Sequence, residues 1–198
     1  MVFLFIIGMR TGHFILFLCS MLGALLLFFM KWLSRNPARM VPQGDGLIVS
    51  AADGRVVSLE YVKEDLYIGG EGILIGVYLS LLDVHINRIP LSGVIRLLSY
   101  KKGKFLPAFR ERASVDNEQQ IIGIESHWGN ILMKQIAGSV VRRIVCHLHF
   151  GESVKAGDPF GMIKLGSRVE LVLPPRTEIN VKIGDKVRAG ETIIGIMK

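Results

Sequence analysis

The sequence predicts a mainly β domain of the α+β class behind a single N-terminal apolar helix. Three observations carry this. Uninterrupted apolar sequence is concentrated in the first 33 residues, the remainder alternates short β-branched runs with glycine-containing turns, and one turn-rich motif occurs twice near the C-terminus. With 198 residues and 50% apolar side chains, the chain has room for one domain and a further segment. The mean hydropathy of +0.42 is high for a soluble protein, and its excess sits at the front.

Phe14 to Met30 are seventeen residues without a charge, and the apolar character extends back to Val2 with only Arg10, Thr11, Gly12 and His13 between. A spanning helix needs about 20 residues, with about 17 as the lower limit. One span over residues 11–32 fits, making residues 1–33 a membrane anchor. Lys31, Arg35 and Arg39 follow it against Arg10 on the far side, which leaves residues 34–198 on the cytoplasmic side of the cell (inner) membrane. A cleaved signal peptide is the rival, but its apolar region is usually only about 7–15 residues and ends in a small-residue site. Neither feature is present. Cys19, after Phe17 and Leu18, also lacks the small residue that precedes a lipidated cysteine.

Cys19 and Cys146 give neither a disulfide framework nor metal-ligand spacing, so no metal is expected. The net charge of +7 would suit nucleic acid, but no nucleic-acid motif accompanies it. Beside an anchor, an anionic lipid surface is the simpler partner.

Asn36-Pro37 punctuates the exit from the anchor, because the residue before proline is biased away from helix. Short runs then follow one another: GLIVS, RVVSLEYV, GILIGVYLSLL, SGVIRLLSY, QQIIGIES, NILMKQIAGSVVRRIVCHLHF, GMIKLGSRVELVLP, EINVKI and ETIIGIM. Few hold a helical period and turn signals recur at short intervals, so they read as strands. Residues 103–120 read as a loop containing at most a helical turn.

GESVKAGDPFGMI (151–163) and GDKVRAGETIIGI (184–196) share G-x-x-V-x-A-G at an offset of 33 residues. The pair resembles the hairpins of biotinyl/lipoyl-type barrel-sandwich domains, and IVSAADGRVVSL (48–59) resembles the opening hairpin of such a module. On that resemblance the two copies pair as strands. A carrier domain of this kind needs a lysine at an exposed hairpin tip, whereas Lys164 lies within an apolar run. A membrane-tethered adaptor without chemistry is the bland alternative.

Two Gly-Ser dipeptides occur, Gly138-Ser139 and Gly166-Ser167. Alone, each reads as a bulge glycine beside a small hydroxyl. Asp53-Gly54 between two apolar strands is a hairpin-turn signal. In an extended DVHINR, Asp83, His85 and Asn87 share one face, where an imidazole beside a carboxylate suits proton transfer. A surface histidine on an edge strand fits the same spacing.

The motifs ADGRV (52–56), DVHINRIP (83–90), GKFLPAF (103–109), NE (117–118), QIAGSVVRRIV (135–145) and LGSRVELVLP (165–174) occur in this order. Together they resemble the phosphatidylserine decarboxylase family in its short, compact form, and SRNPAR (34–39) resembles the stretch that opens its catalytic domain. The resemblance covers residues 34–198. It implies a proenzyme that cuts itself between Gly166 and Ser167, leaving residues 1–166 as the β chain and 167–198 as the α chain. Ser167 then becomes a pyruvoyl group, the cofactor for decarboxylating phosphatidylserine to phosphatidylethanolamine in phospholipid biosynthesis.

The resemblance further implies that His85 serves decarboxylation and Asp53 orients the base for self-cleavage. Long bacterial forms carry a second histidine where this chain has Arg88, and an arginine makes a poor base. Arg168, Arg142 and Arg143 are candidate phosphate contacts, with plain solvated charge as the alternative. His127, His147 and His149 match nothing in the family, and the last two read as structural positions in a strand. The partners implied are a phospholipid in the membrane, the two chains of the cleaved product with each other, and further copies in a dimer or larger assembly. Archaetidylserine is an alternative substrate, and a soluble amino acid a third, which the anchor disfavours.

Overall fold

The computed structural model describes residues 14–108, 112–139, 143–163 and 166–197. The chain divides after Arg35 into two compact units. The first carries helix α1 (Phe14–Leu33), built from leucine, phenylalanine and methionine with Lys31 in its last turn, where a cation complements the helix dipole. Its stretch Ile15–Leu33 has a mean hydropathy of 2.1 and, apart from Leu33 at its end, is not buried, so by length and composition it can cross a membrane. At its end the Arg35 guanidinium lies 3.9 Å from the centre of the Trp32 ring, a cation–π contact.

The second unit is mainly β. In chain order its strands are β1 (Leu47–Val49), β2 (Gly54–Glu64), β3 (Gly70–Leu79), β4 (Ile86–Arg88), β5 (Gly93–Lys101), β6 (Gln119–Ser126) and β7 (Gly129–Ile136), followed by β8 (Ile144–Cys146), β9 (Ser153–Val154), β10 (Pro159–Ile163), β11 (Ser167–Leu173), β12 (Glu178–Ile179), β13 (Lys186–Val187) and β14 (Ile193–Ile196). One short helix, α2 (Ala113–Asp116), interrupts them, as the reading of residues 103–120 anticipates.

Eight strands form one sheet in the order β13-β2-β3-β11-β7-β6-β5-β9, and two three-stranded sheets, β4-β10-β8 and β1-β14-β12, complete the body. Every residue of β11 is buried between β3 and β7, the polar Ser167, Arg168 and Glu170 included. Val169, Leu171 and Leu173 face the main core with Ile75, Val77, Ile131 and Met133. Each such side chain stabilises the fold by about 1.5–3 kcal/mol. Arg168, Glu170 and Val172 project to the other face, where Val172 joins a smaller cluster with Leu74, Ile121 and Leu132.

Two pairing expectations are corrected. The repeat copies do not pair with each other: β10 of the first bonds β4 and β8, and β14 of the second bonds β1 and β12. The reason lies in the shared A-G turn, whose glycine amide is taken by an earlier segment in each copy. Gly157 N–H donates to Ile89 O at 2.8 Å and Gly190 N–H to Ser50 O at 2.9 Å. Both glycines are left-handed, with φ of 86° and 75°, so no other residue serves easily. Likewise residues 48–59 form no hairpin. β1 pairs with β14 while β2 pairs with β3 and β13, because Ser50 and Val49 bond outward to Thr192 and Pro90.

Candidate active site

β11 begins at Ser167, directly after Gly166, whose φ of 67° places it in the left-handed region. A side chain there costs about 1–2 kcal/mol, so the position favours glycine. Ser167 is fully buried, and among the described residues its Oγ has no hydrogen-bond partner. An unpaired buried hydroxyl costs about 1–3 kcal/mol and calls for an explanation in function.

The segment that follows β3 carries His85. Ser167 lies opposite Leu79 at the end of β3, and His85 O, six residues further on, accepts from Ile163 N at 3.4 Å. His85 is 3% exposed. Asp83 does not line up beside it: its carboxylate closes the turn, accepting Ser80 N–H at 2.8 Å and Ser80 Oγ–H at 2.7 Å. Two residues past His85, Asn87 is fully buried and accepts a 2.8 Å bond from Gln135 Nε2.

Asp53 sits at the bend before β2, where a Cβ on Gly54 would strike the Tyr78 carbonyl. Arg39 grips its two oxygens at 2.9 and 2.8 Å, and Ala189 N–H donates to it at 2.8 Å. Both bonds come from the single Nη2, while Nη1 lies 3.5 Å from Glu191, and hydrogen bonds between ionised groups of this kind are roughly twice as strong as neutral ones. Arg88, 8% exposed, gives Nη1–H to Gly157 O at 2.8 Å and Nη2–H to Asn36 Oδ1 at 2.5 Å and Pro37 O at 3.0 Å. Burial, then the nearby Arg39 charge, pull its pKa down, while Asp53, Asp158 and Glu191 oppose. Its donors fasten the entry segment 36–37 to the first repeat turn.

Arg168 turns away from Ser167 by strand alternation. Its Nη2–H reaches Ser58 Oγ at 2.7 Å, and its Nε lies 2.8 Å from Glu170 Oε1, out of line for a hydrogen bond. Gly76 lets it pass, since a Cβ there would fall 2.7 Å from the guanidinium. Burial raises the Glu170 pKa against the pull of Arg168, and Ser114 of α2 donates to the same carboxylate. These groups line a groove of about 590 Å³ on that face. Arg143 is exposed, and Arg142 and Lys164 lie outside the described residues. His127, His147 and His149 are exposed, and β8 stops at Cys146, before the last two.

Sequence reasoning did not single out Gln135, Arg39 as the grip on Asp53, or the linking role of Asn117. Asn117 Nδ2 donates to Ala137 O at 2.8 Å and Leu106 O at 2.7 Å, tying the loop before α2 to the end of β7. Their signal lay in the quoted motifs SRNPAR, NE and QIAGSVVRRIV, which contain all three.

A left-handed glycine before a buried, unsatisfied serine, with a buried histidine on the adjoining segment, defines a candidate enzyme centre inside a β domain. The family model for phosphatidylserine decarboxylase matches residues 25–195. The chain is 44% identical over 169 residues to the phosphatidylserine decarboxylase proenzyme of Chlorobaculum tepidum, covering 85% of this chain and 78% of that protein. To the proenzyme of the same name from Wolbachia pipientis it is 48% identical over 165 residues, 81% of this chain and 72% of the relative. With that of Carboxydothermus hydrogenoformans it shares 40% identity over 199 residues, 99% of this chain and 93% of the relative. The chain belongs to the phosphatidylserine decarboxylase family.

Proposed function

We propose that the chain is a proenzyme that cuts itself between Gly166 and Ser167 and then decarboxylates phosphatidylserine to phosphatidylethanolamine. The observation that carries this is the Ser167 hydroxyl, buried without a partner among the described residues and behind a left-handed glycine. A hydroxyl in that state is free to attack the Gly166 carbonyl carbon, transferring the preceding chain from nitrogen to oxygen as an ester. Removal of the Cα proton expels that ester from Cβ as the Gly166 carboxylate, and water then hydrolyses the dehydroalanine left behind, releasing ammonia and giving a pyruvoyl terminus at 167. The residues fit such a group, because the position is already desolvated and asks for no partner on Oγ. When formed, the group supplies a ketone that captures the substrate amine and takes up the electrons released with carbon dioxide.

His85 is the proton carrier in this reading, acting as base in self-cleavage and as donor to the substrate α-carbon afterwards. Its burial on the segment that leaves β3 opposite Ser167 and bonds Ile163 supports that, as does the engagement of Arg88 in structural bonds. Asp53, held by Arg39 and Ala189, keeps the neighbouring turn in place for the base. Arg142 and Arg143 are the phosphate contacts, while Arg168 serves the fold through Ser58 and Glu170. After cleavage, residues 167–198 stay in place through β11, β13 and β14, which bond β3, β7, β2 and β1.

Residues 1–33 anchor the enzyme in the cell membrane with residues 34–198 as the catalytic domain on the cytoplasmic side, supported by the length and hydropathy of α1. The two repeat copies, each closing a three-stranded sheet, support a barrel-sandwich architecture.

Intact mass of purified wild-type protein beside Ser167→Ala tests the reading. Wild type is expected as two chains divided between 166 and 167, the smaller bearing a carbonyl that reacts with a hydrazide, and the variant as one chain. A single unbroken wild-type chain would leave the adaptor reading instead.

A further inference from the structure

The register of the eight-stranded sheet places one transverse row across seven strands: Lys186, Arg55, Tyr78, Arg168, Ile136, Gln119 and Lys101. Ser167 lies one residue beyond this row, so the reaction centre is at the end of the sheet where β11 begins. Two features mark that end. Leu81 and Leu82, in the turn that leaves β3 just past the row, are 46% and 63% exposed. Lys186, Arg55, Lys101 and Lys102 are exposed around it.

The acidic groups at this end are mostly engaged. Asp83 closes the leucine turn, Asp116 pairs with Lys104 at 3.2 Å, and Asp185 accepts from Lys182 N–H. At the opposite end of the same strands the charges nearly cancel, with Glu64, Asp65, Glu71 and Glu125 against Lys63, Arg96 and Arg176, and with Asp65 and Glu125 paired to Lys63 and Arg96 at 3.2 and 2.6 Å. The end holding Ser167 therefore joins exposed leucines to an excess of cations, whereas the other, which exposes Leu66 and Tyr61, is close to charge balance.

We propose that the end carrying Ser167 is the surface the catalytic domain presents to an anionic phospholipid bilayer. Leu81 and Leu82 enter the boundary between headgroups and acyl chains, and Arg55, Lys101 and Lys102 lie over the headgroups. The inference rests on the lipid decarboxylase reading. A phospholipid cannot be lifted clear of the bilayer to reach a buried residue, since exposing each methylene to water costs about 0.8 kcal/mol. The mouth of the site must come to the lipid, and apolar side chains with surrounding cations suit that depth and sign.

The test compares the full chain with a Leu81→Ser/Leu82→Ser variant, a Lys101→Glu/Lys102→Glu variant and Leu66→Ser, whose exposed leucine lies in the β2–β3 turn at the other end. Turnover is measured on vesicles of phosphatidylcholine and phosphatidylserine and on monomeric short-chain phosphatidylserine, with the appearance of two chains as the folding check. Both double variants are expected to self-cleave normally, to lose about tenfold or more on vesicles, and to stay within about twofold on the monomer. Leu66→Ser changes neither. An unchanged ratio of vesicle to monomer turnover in both double variants, or an equal loss in Leu66→Ser, overturns the proposal. Wild type inactive on both substrates would instead overturn the decarboxylase reading beneath it.

Discussion

Gln135 Nε2 donates to Asn87 Oδ1 at 2.8 Å, and that one bond joins β7 of the large sheet to β4, the strand that follows His85. Gln135 lies opposite Val169 on β11, two residues from Ser167. The amide pair therefore spans the interior between the segment bearing the histidine and the strand bearing the serine. Among the described residues Asn87 Nδ2 and Gln135 Oε1 are buried without partners, so a donor group and an acceptor of the pair remain open.

Removing one amide should cost more than removing both. Asn87→Leu or Gln135→Leu, made in a Ser167→Ala background so that the chain stays whole, leaves a buried amide unpaired. Each is expected to lose about 1–3 kcal/mol, a fall of roughly 2–4 °C in unfolding midpoint per kcal/mol, whereas the double variant recovers much of it. Thermal unfolding of the four proteins measures the coupling. In chains that retain Ser167, both single variants and the double should cleave slowly, because His85 loses its strut in each.

Gly166 is the second lever. Alanine at a φ of 67° is disfavoured by about 1–2 kcal/mol, so Gly166→Ala pulls the carbonyl out of its place beside Ser167. Self-cleavage is expected to slow by roughly tenfold, read from the appearance of the two chains over time. Cleavage at the wild-type rate would mean that the left-handed backbone is not needed.

How far the sequence reached depended on whether a property was local. The β-branched runs, the turn glycines and α1 each follow from residues adjacent in the chain. The pairing of the repeats was not legible, because Gly157 and Gly190 resemble each other through the bonds each makes to a distant segment, Ile89 or Ser50. Arg168 shows the same limit within the site. Adjacency to Ser167 suggested a shared role, but alternation along β11 sends the two side chains to opposite faces. Arg39 and Asp53 are fourteen residues apart, and no spacing rule joins them.

That Arg39–Asp53 pair should separate stability from processing. Both side chains are largely shielded, at 6% and 13% exposed, and breaking such a pair on one side costs about 3–5 kcal/mol. Asp53→Asn is expected to be destabilised and uncleaved. Arg39→Met/Asp53→Leu should regain most of the stability, since Glu191, the other carboxylate near Arg39, keeps Arg188 at 3.6 Å, yet remain uncleaved by intact mass. Restored cleavage in the double variant would show that Asp53 acts only through the fold.

The pH dependence of stability should carry a signature of Glu64, at the end of the sheet remote from Ser167. Burial pushes its carboxyl pKa up, but the N–H groups of Ile68, Tyr67 and Leu66, at 2.7 to 2.9 Å, together with the Lys134 charge, outweigh that and hold it below the ordinary value. A carboxyl with a depressed folded pKa binds protons more readily unfolded than folded. Its stabilisation is complete above the unfolded value of about 4.3 and is lost as pH falls through the folded one. Glu64→Gln keeps an acceptor but no charge, so it is expected to be less stable than wild type by about 1–2 kcal/mol near neutral pH. The gap should close as pH drops below about 4, where the wild-type carboxyl takes up its proton. Unfolding midpoints of the two proteins across that range give the difference, and a gap that stayed constant to low pH would show that hydrogen-bond geometry, not charge, holds this turn.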